Sequence, residues 1–166
     1  AIAVGADPEE TLVAISKLES APGRLEVISG PRNLSVVIDY AHTPDALENV
    51  LKTLRDIDNG KELICLFGCG GDRDNTKRPE MAAIAEKYIR KGFSVNGLAK
   101  AIFISDRKEA IRTSIMFAKD GGVILLAGKG HETYQIIGTE HRHFDEREVV
   151  SEIFNSLTAT KKEDKR

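Results

Sequence analysis

The chain has 166 residues, of which 41% are hydrophobic and 30% charged, a composition typical of a soluble globular domain with a substantial core. Its net charge is −2, with acids and bases mixed along the chain, so the basic excess of a nucleic-acid-binding protein is not found. No apolar stretch approaches the roughly 20 residues of a membrane span, and no secretory signal pattern occurs. We therefore expect neither a nucleic acid nor a membrane as a partner.

The two cysteines, Cys65 and Cys69, indicate a reducing compartment rather than a disulfide scaffold, so we expect a cytoplasmic protein. The first residue is Ala1 rather than Met, as expected for a piece of a longer chain or a processed one.

Helix and strand signals alternate through the first half of the chain. Asp7 is a typical N-cap before a proline and two glutamates, and Thr43 is another before Pro44. Two apolar runs joined by a Ser-Gly-Pro-Arg-Asn turn predict a pair of strands. The expected elements are a helix over 7–20, strands over 25–28 and 34–39, and a helix from 43 to about 54.

The stretch Glu62–Met81 is the most informative part of the chain. A short apolar run predicts a strand buried on both faces, and it ends at Gly68-Cys69-Gly70-Gly71. Five charged residues follow before Pro79, which is expected to start a helix. Strand, glycine turn and helix are the layout of a ligand crevice at the carboxyl end of a parallel sheet. The alternative is a tight turn with solvated charges.

The second half continues the alternation. Asp106 and Glu109 form a capping box, and Asp145 caps a last helix. The other expected elements are strands over 101–105 and 123–127, a short hairpin of 134–137 with 141–144, and a frayed charged tail over 158–166. We predict a Rossmann-like α/β fold, with a mainly parallel sheet flanked by helices and a short antiparallel hairpin near the C-terminus.

Three stretches stand in the order found in Mur ligases: 39–44 (DYAHTP), 68–79 (GCGGDRDNTKRP) and 127–132 (AGKGHE). Each alone is a weak signal, but together they are specific. The chain resembles the C-terminal domain of the MurE group, which adds the third amino acid to the UDP-MurNAc-dipeptide of peptidoglycan. By this resemblance, residues 1–23 end the preceding central domain, 24–157 form the C-terminal domain and 158–166 are a charged flexible tail.

The resemblance implies an ATP-dependent amide-bond ligase that works through an acyl phosphate. In the family the ATP phosphate loop and the Mg²⁺ ligands lie on the central domain, and no G-x-x-x-x-G-K-[ST] occurs in this sequence. The chain would then hold no catalytic or metal-binding residue of its own and would be inactive alone. Its expected partners are UDP-MurNAc-dipeptide, a diamino acid, ATP, and the N-terminal and central domains.

Four residues are expected at the ATP site. Asp39 and His42 stand where a strand gives way to a helix and can hydrogen-bond ribose hydroxyls, and Tyr40 can pack beside a base. Arg24 resembles the family's arginine that meets the nucleotide phosphates. The alternatives are a capped helix start with a core histidine, and a surface arginine.

Three residues are expected at the amino-acid site. By resemblance, Arg73 holds the substrate's carboxylate, Gly128 offers its backbone, and Glu132 accepts from the distant ammonium group. Without the resemblance, Glu132 would be an ordinary loop acid, and Lys77 and Arg78 a solvated helix start.

The sequence departs from the family after Tyr88. The family continues there with a strand and an Asp-Asn-Pro-Arg loop that selects meso-diaminopimelate, with a variant in lysine-adding relatives, and neither form is present. Ile89–Phe93 instead resembles the end of the helix that follows the loop. The choice between diaminopimelate and lysine therefore stays open.

Three other interpretations compete with the ligase domain. A non-catalytic nucleotide- or amino-acid-binding module of the same descent is the main alternative. A Rossmann-type oxidoreductase is disfavoured because no G-x-G-x-x-G lies between a strand and a helix. A zinc site of Cys65, Cys69, His141 and His143 is disfavoured because the chain has no second cysteine pair and Cys65 belongs to a buried strand.

Overall fold

The computed structural model describes residues 2–18, 20–57, 60–68, 77–90 and 102–163. The glycine-rich turn beyond Gly68, with Cys69 and Arg73, therefore lies outside the described residues. The helices are α1 (Pro8–Ser16), α2 (Pro44–Ile57), α3 (Lys77–Arg90), α4 (Arg107–Phe117) and α5 (Glu146–Glu163). The strands are β1 (Glu26–Ser29), β2 (Ser35–Asp39), β3 (Leu63–Leu66), β4 (Val123–Ala127), β5 (Tyr134–Ile137) and β6 (Glu140–His143).

Four strands form the main sheet in the order β1-β2-β4-β3. β4 pairs in parallel with β2 on one side, where Asp39 is opposite Ala127, and with β3 on the other. β1 lies antiparallel on the outer edge of β2. A separate antiparallel hairpin of β5 and β6 precedes the last helix. The predicted fold class, a mainly parallel sheet with helices and a hairpin near the C-terminus, is confirmed.

Two apolar cores lie on opposite faces of the sheet, because successive side chains of a strand point to opposite sides. On β4, Ile124 and Leu126 pack with α4 and α5, whereas Val123 and Leu125 pack with α2 and α3. All five residues of β4 are buried, as expected for a central strand covered on both faces. The domain is thus a three-layer α/β/α sandwich.

The predicted caps are present, although several boundaries differ. Asp7 Oδ1 accepts the backbone N–H groups of Glu9 and Glu10, and Asp106 Oδ1 accepts that of Glu109. α1 ends at Ser16 rather than near residue 20, and it has no buried residue in the part of the chain that is described. α3 begins at Lys77, so Pro79 stands third in the helix, still within the first turn, where its missing N–H has no partner to lose.

The strand predicted over 101–105 is wrong for its described part. Residues 102–105 belong to no strand, and the side chains of Ile102 and Phe103 are 62% and 96% exposed. A strand requires a neighbour for its backbone hydrogen bonds, and among the described strands β3 pairs only with β4. A short apolar run was therefore not sufficient to place this segment in the sheet.

The C-terminal segment also differs from the prediction. α5 does not fray at residue 158 but continues to Glu163, where Ala, Lys and Glu favour helix. The second hairpin strand is Glu140–His143 rather than 141–144. Among the described residues, no helix combines the length and apolar character needed to cross a bilayer.

Candidate functional site

The sheet leaves two crevices at the carboxyl ends of its parallel strands. β2 and β3 lead to α2 and α3 on one face, whereas β4 leads through the hairpin to α5 on the other. Neighbouring strands whose connections go to opposite faces leave room for a ligand between their ends. The loop of residues 128–133, which follows β4, therefore separates a β2/β4 crevice from a β3/β4 crevice.

Asp39 organises the β2/β4 crevice. It is 5% exposed, and its two carboxylate oxygens accept the backbone N–H groups of Leu25 at 2.9 Å and Ala41 at 2.8 Å. Its carbonyl oxygen accepts the N–H of Gly128 at 2.9 Å. Leu25 has φ 44°, a left-handed conformation that is costly for a residue with a side chain. Asp39 thus first positions three backbone segments, and a contact with ribose stays a prediction.

Two glycines bring the segment before β1 against the loop after β4. A Cβ on Gly23 would lie 2.1 Å from the amide nitrogen of His131, and one on Gly130 would lie 2.7 Å from the Cβ of Tyr40. Both glycines have positive φ, 70° and 53° respectively. Their backbones therefore approach more closely than any other residue would allow, and this contact fixes where Arg24 and His131 emerge.

Four side chains meet at Tyr40 as a result. The Arg24 guanidinium carbon lies 4.9 Å from the centre of the Tyr40 ring, the His42 ring lies at 4.7 Å and the His131 ring at 5.1 Å. Arg24, His42 and His131 are exposed, and Tyr40 is half-buried. We name these four residues the Tyr40 cluster. An aromatic ring surrounded by a guanidinium and two imidazoles suits a ligand with a flat base and anionic groups.

His42 offers a defined acceptor to that ligand. Its Nδ1 lies 2.8 Å from the carbonyl oxygen of Tyr40, which can only accept, so Nδ1 carries a proton. In the neutral ring Nε2 is then left as an acceptor, suited to a hydroxyl donor such as ribose. The alternative of a core histidine is wrong, because His42 is exposed.

Of the residues predicted at the amino-acid site, Gly128 and Glu132 are described, and Gly128 lies at the β3/β4 crevice. A Cβ on Gly128 would lie 3.8 Å from the carbonyl oxygen of Gly68, so the residues just beyond the ends of β3 and β4 lie close together there. Glu132 is half-buried, and its Oε2 lies 3.4 Å from the ammonium nitrogen of Lys129, which also donates to the carbonyl of Tyr134. The Glu132 carboxylate therefore already receives an ammonium group from within the chain.

A buried ion pair lies beneath this crevice. Arg107, the first residue of α4, donates from Nε to Glu146 Oε1 at 2.6 Å and from Nη2 to the carbonyl of Ala127 at 3.0 Å. The Glu146 side chain is 0% exposed and that of Arg107 14%. Within the described part of the chain, Glu146 Oε2 has no hydrogen-bond partner. The pair joins the first turns of α4 and α5 to the end of β4.

A second arginine, Arg147, stabilises the other side of the loop of residues 128–133. Arg147 donates to both carboxylate oxygens of Glu26, to Asp145 and to the carbonyl of Gly130. Hydrogen bonding from Arg147 lowers the pKa of Glu26. Since Glu26 also accepts the N–H of Gly23 at 2.7 Å, this network supports the glycine contact beneath the Tyr40 cluster.

Comparison with known proteins identifies the family. The profile described as "Mur ligase, glutamate ligase domain" matches residues 23–130. The chain belongs to this family. The match begins at Gly23 and ends at Gly130, the two glycines of the close contact.

Two curated relatives that match most of this chain carry the same name. The chain is 48% identical to the UDP-N-acetylmuramoyl-L-alanyl-D-glutamate–2,6-diaminopimelate ligase of Bacillus cereus, over 86% of this chain and 33% of the relative. It is 41% identical to the ligase of the same name from Parabacteroides distasonis, over 94% of this chain and 37% of the relative. The chain spans about a third of the length of these relatives.

Solved structures agree with this assignment. A structure of a diaminopimelate ligase with the same name is 35% identical, with a TM-score of 0.69 over 95% of this chain and 36% of that one. The UDP-N-acetylmuramate-alanine ligase MurC of Thermotoga maritima has a TM-score of 0.63 over 95% of this chain and 35% of that one, at 17% identity, which indicates the shared fold alone.

A continuous helix joins Tyr88 to Ile89, the point at which the family has an additional stretch. α3 runs from Lys77 to Arg90 without a break at that junction. The alignment with the Parabacteroides ligase extends over 179 residues, more than the 166 of this chain. The relative therefore has residues without a counterpart in this Mur ligase domain.

Sequence reasoning missed His131, Arg107 and Glu146. His131 lay in a quoted motif, and its place beside two glycines was an available signal. Arg107 and Glu146 each follow an N-cap aspartate and lie 39 residues apart, so only the fold pairs them.

Cys65 is described without Cys69, and burial raises the pKa of its thiol to about 12, which disfavours a thiolate ligand. The described residues contain no group of three or more side chains suited to a metal.

Proposed function

We propose that this chain is the C-terminal domain of an ATP-dependent ligase that adds the third amino acid to UDP-MurNAc-L-Ala-D-Glu during peptidoglycan synthesis. The third amino acid is meso-diaminopimelate or lysine, and the reaction proceeds through an acyl phosphate. Family membership and the names of the relatives support this proposal.

The Tyr40 cluster is the observation that carries the proposal. In the β2/β4 crevice Tyr40 packs beside the adenine, His42 Nε2 accepts from a ribose hydroxyl and Arg24 meets the phosphates. His131 joins them from the opposite wall, because its ring lies 5.1 Å from that of Tyr40. Asp39 contributes by fixing the backbone on which these side chains stand.

The β3/β4 crevice receives the diamino acid. The expected contacts are Arg73 with its carboxylate, the Gly128 backbone, and Glu132 with its distant ammonium group. Glu132 suits this part, because it already accepts an ammonium group from Lys129. The substrate's ammonium would replace or share that contact.

Chemistry at the phosphates requires the rest of the ligase. The sequence contains no phosphate loop of the G-x-x-x-x-G-K-[ST] type, and Mg²⁺ is expected to bind residues of a central domain. We therefore expect this chain alone to bind ATP without turning it over. The proposal places the reaction in the cytoplasm, with UDP-MurNAc-dipeptide, a diamino acid and the other two domains as partners.

A second candidate is a non-catalytic binding module of Mur-ligase descent. The continuous α3 favours it, because the sequence contains no Asp-Asn-Pro-Arg motif of the kind that selects the amino acid in the family. Such a module would keep nucleotide binding at the Tyr40 cluster and lose amino-acid selection.

Two chimeras separate the candidates. In the first, this chain replaces the matching third of the Bacillus cereus ligase; in the second, that ligase's own stretch is also inserted between Tyr88 and Ile89. Tripeptide formation is measured with meso-diaminopimelate and with lysine. The proposal expects ATP-dependent product from the second chimera, and from the first only weak, unselective product. If the folded second chimera binds an ATP analogue but forms no product, the binding module is correct.

A further inference from the structure

The Arg107–Glu146 pair is more than a link between two helices. Arg107 uses Nε and Nη2 for Glu146 and Ala127, but Nη1 makes no hydrogen bond within the described residues. A Cβ on Gly68 would lie 3.7 Å from this Nη1. The free edge of the guanidinium therefore faces Gly68, just beyond the end of β3, at the floor of the β3/β4 crevice.

Each side chain of the pair has a polar atom without a hydrogen-bond partner in the described part of the chain. The Glu146 side chain is 0% exposed, yet its Oε2 lacks a partner in the described part of the chain. Buried polar atoms are nearly always hydrogen-bonded, and an unsatisfied one in a folded protein calls for a functional or structural reason. Here, within the described residues, the same ion pair leaves a carboxylate oxygen and one guanidinium edge without a hydrogen-bond partner, and the neighbouring Gly68 carries no side chain.

We propose that Arg107 is a ligand-binding residue of the β3/β4 crevice that receives a carboxylate through its Nη1 edge, and that Glu146 sets its affinity. The guanidinium fork matches a carboxylate in shape and charge. Glu146 orients the fork by accepting from Nε and offsets part of its positive charge. The inference rests on the proposed function only in identifying that carboxylate as one of the two that meso-diaminopimelate carries, the other being the one assigned to Arg73.

Because Glu146 places a negative charge beside the guanidinium, the proposal predicts a change in carboxylate affinity that a purely structural role of Glu146 does not. A residue that only supports the fold should weaken binding when it is changed. Glu146→Gln keeps the shape of the side chain and removes the negative charge that competes with a bound carboxylate. We therefore expect carboxylates to bind about three- to tenfold more tightly to this variant. Arg107→Lys keeps a charge but loses the fork, and should weaken binding about tenfold.

The experiment follows the Arg107 side-chain nitrogens and the amides of Gly68 and Gly128 by NMR during titration of the 166-residue chain. The probes are acetate and meso-diaminopimelate. The control is Glu152→Gln, which changes the net charge equally on the same helix but breaks only an exposed pair with Lys108. Melting curves verify that each variant is folded.

We expect both probes to shift the Arg107 signals, Glu146→Gln to tighten binding, and Glu152→Gln to change nothing. If acetate shifts Arg107 and meso-diaminopimelate does not, the carboxylate site stands and the proposed substrate is wrong. If meso-diaminopimelate shifts the glycine amides and leaves Arg107 unmoved, the substrate stands and the inference fails. No shift of Arg107 with either probe, or weaker binding in folded Glu146→Gln, also overturns it.

Discussion

The two crevices beside β4 are built in opposite ways. In the β2/β4 crevice the backbone is locked by Gly23, Gly130 and the buried Asp39, and three side chains of the Tyr40 cluster stand exposed on it. In the β3/β4 crevice the polar groups are the buried pair of Arg107 and Glu146, which also join two helices to the sheet. Binding and stability should therefore be separable on the first side and coupled on the second.

The largest expected effect breaks the backbone contact of the β2/β4 crevice. Gly130→Ala places a methyl group 2.7 Å from the Tyr40 Cβ at a φ of 53°, and should lower the free energy of unfolding by about 3 kcal/mol or more. Denaturant unfolding measures it. Gly138→Ala is the control, since Gly138 has φ 62° but nothing within 4 Å, so only about 1 kcal/mol is expected. Equal losses would contradict the close contact.

Asp39→Asn tests whether Asp39 positions backbone or holds the nucleotide. One of its two backbone N–H partners would face an amide donor instead of an oxygen, so we expect a loss of about 2–3 kcal/mol in the free energy of unfolding. Asp106→Asn, at an exposed N-cap where the two residues perform alike, should change little. Unchanged stability with lost ATP affinity would assign Asp39 to the ligand instead.

Glu26→Gln should destabilise the domain in a pH-dependent way. The pKa of Glu26 is lowered by the hydrogen bonds from Arg147, so its stabilisation is complete above the ordinary value of 4.5 and is lost as the pH falls through the lowered pKa. We expect about 1–2 kcal/mol between wild type and variant at pH 7. The difference should shrink at pH 3 in denaturant unfolding. A constant difference would exclude the ionised carboxylate as its source.

The smallest effect concerns a side chain that can be removed without damage to the fold. His131→Ala should weaken binding of an ATP analogue about two- to tenfold, the effect of one hydrogen bond or ring contact, and leave the melting temperature unchanged. His143→Ala is the control, because His143 is exposed on the hairpin and pairs with Glu148 instead. Calorimetry that gives equal affinities for wild type and His131→Ala would remove His131 from the site.

The sequence predicted local features well and long-range pairings poorly. Caps such as Asp7 and Asp106 and the buried strand β4 depend on neighbouring residues, and these predictions are confirmed. The strand expected over 101–105 failed because pairing depends on what lies beside it in space. His131 and Arg107 were missed because their partners are far away in the sequence, Tyr40 in the first case and Glu146 in the second.

The most direct test of the two-crevice arrangement is an NMR titration of the chain with a non-hydrolysable ATP analogue. Nucleotide binding at the β2/β4 crevice predicts the largest shifts at the rings of Tyr40, His42 and His131, with Gly68 unchanged. Shifts centred on Gly68, with the three rings unmoved, would contradict the assignment of the nucleotide to this side of β4.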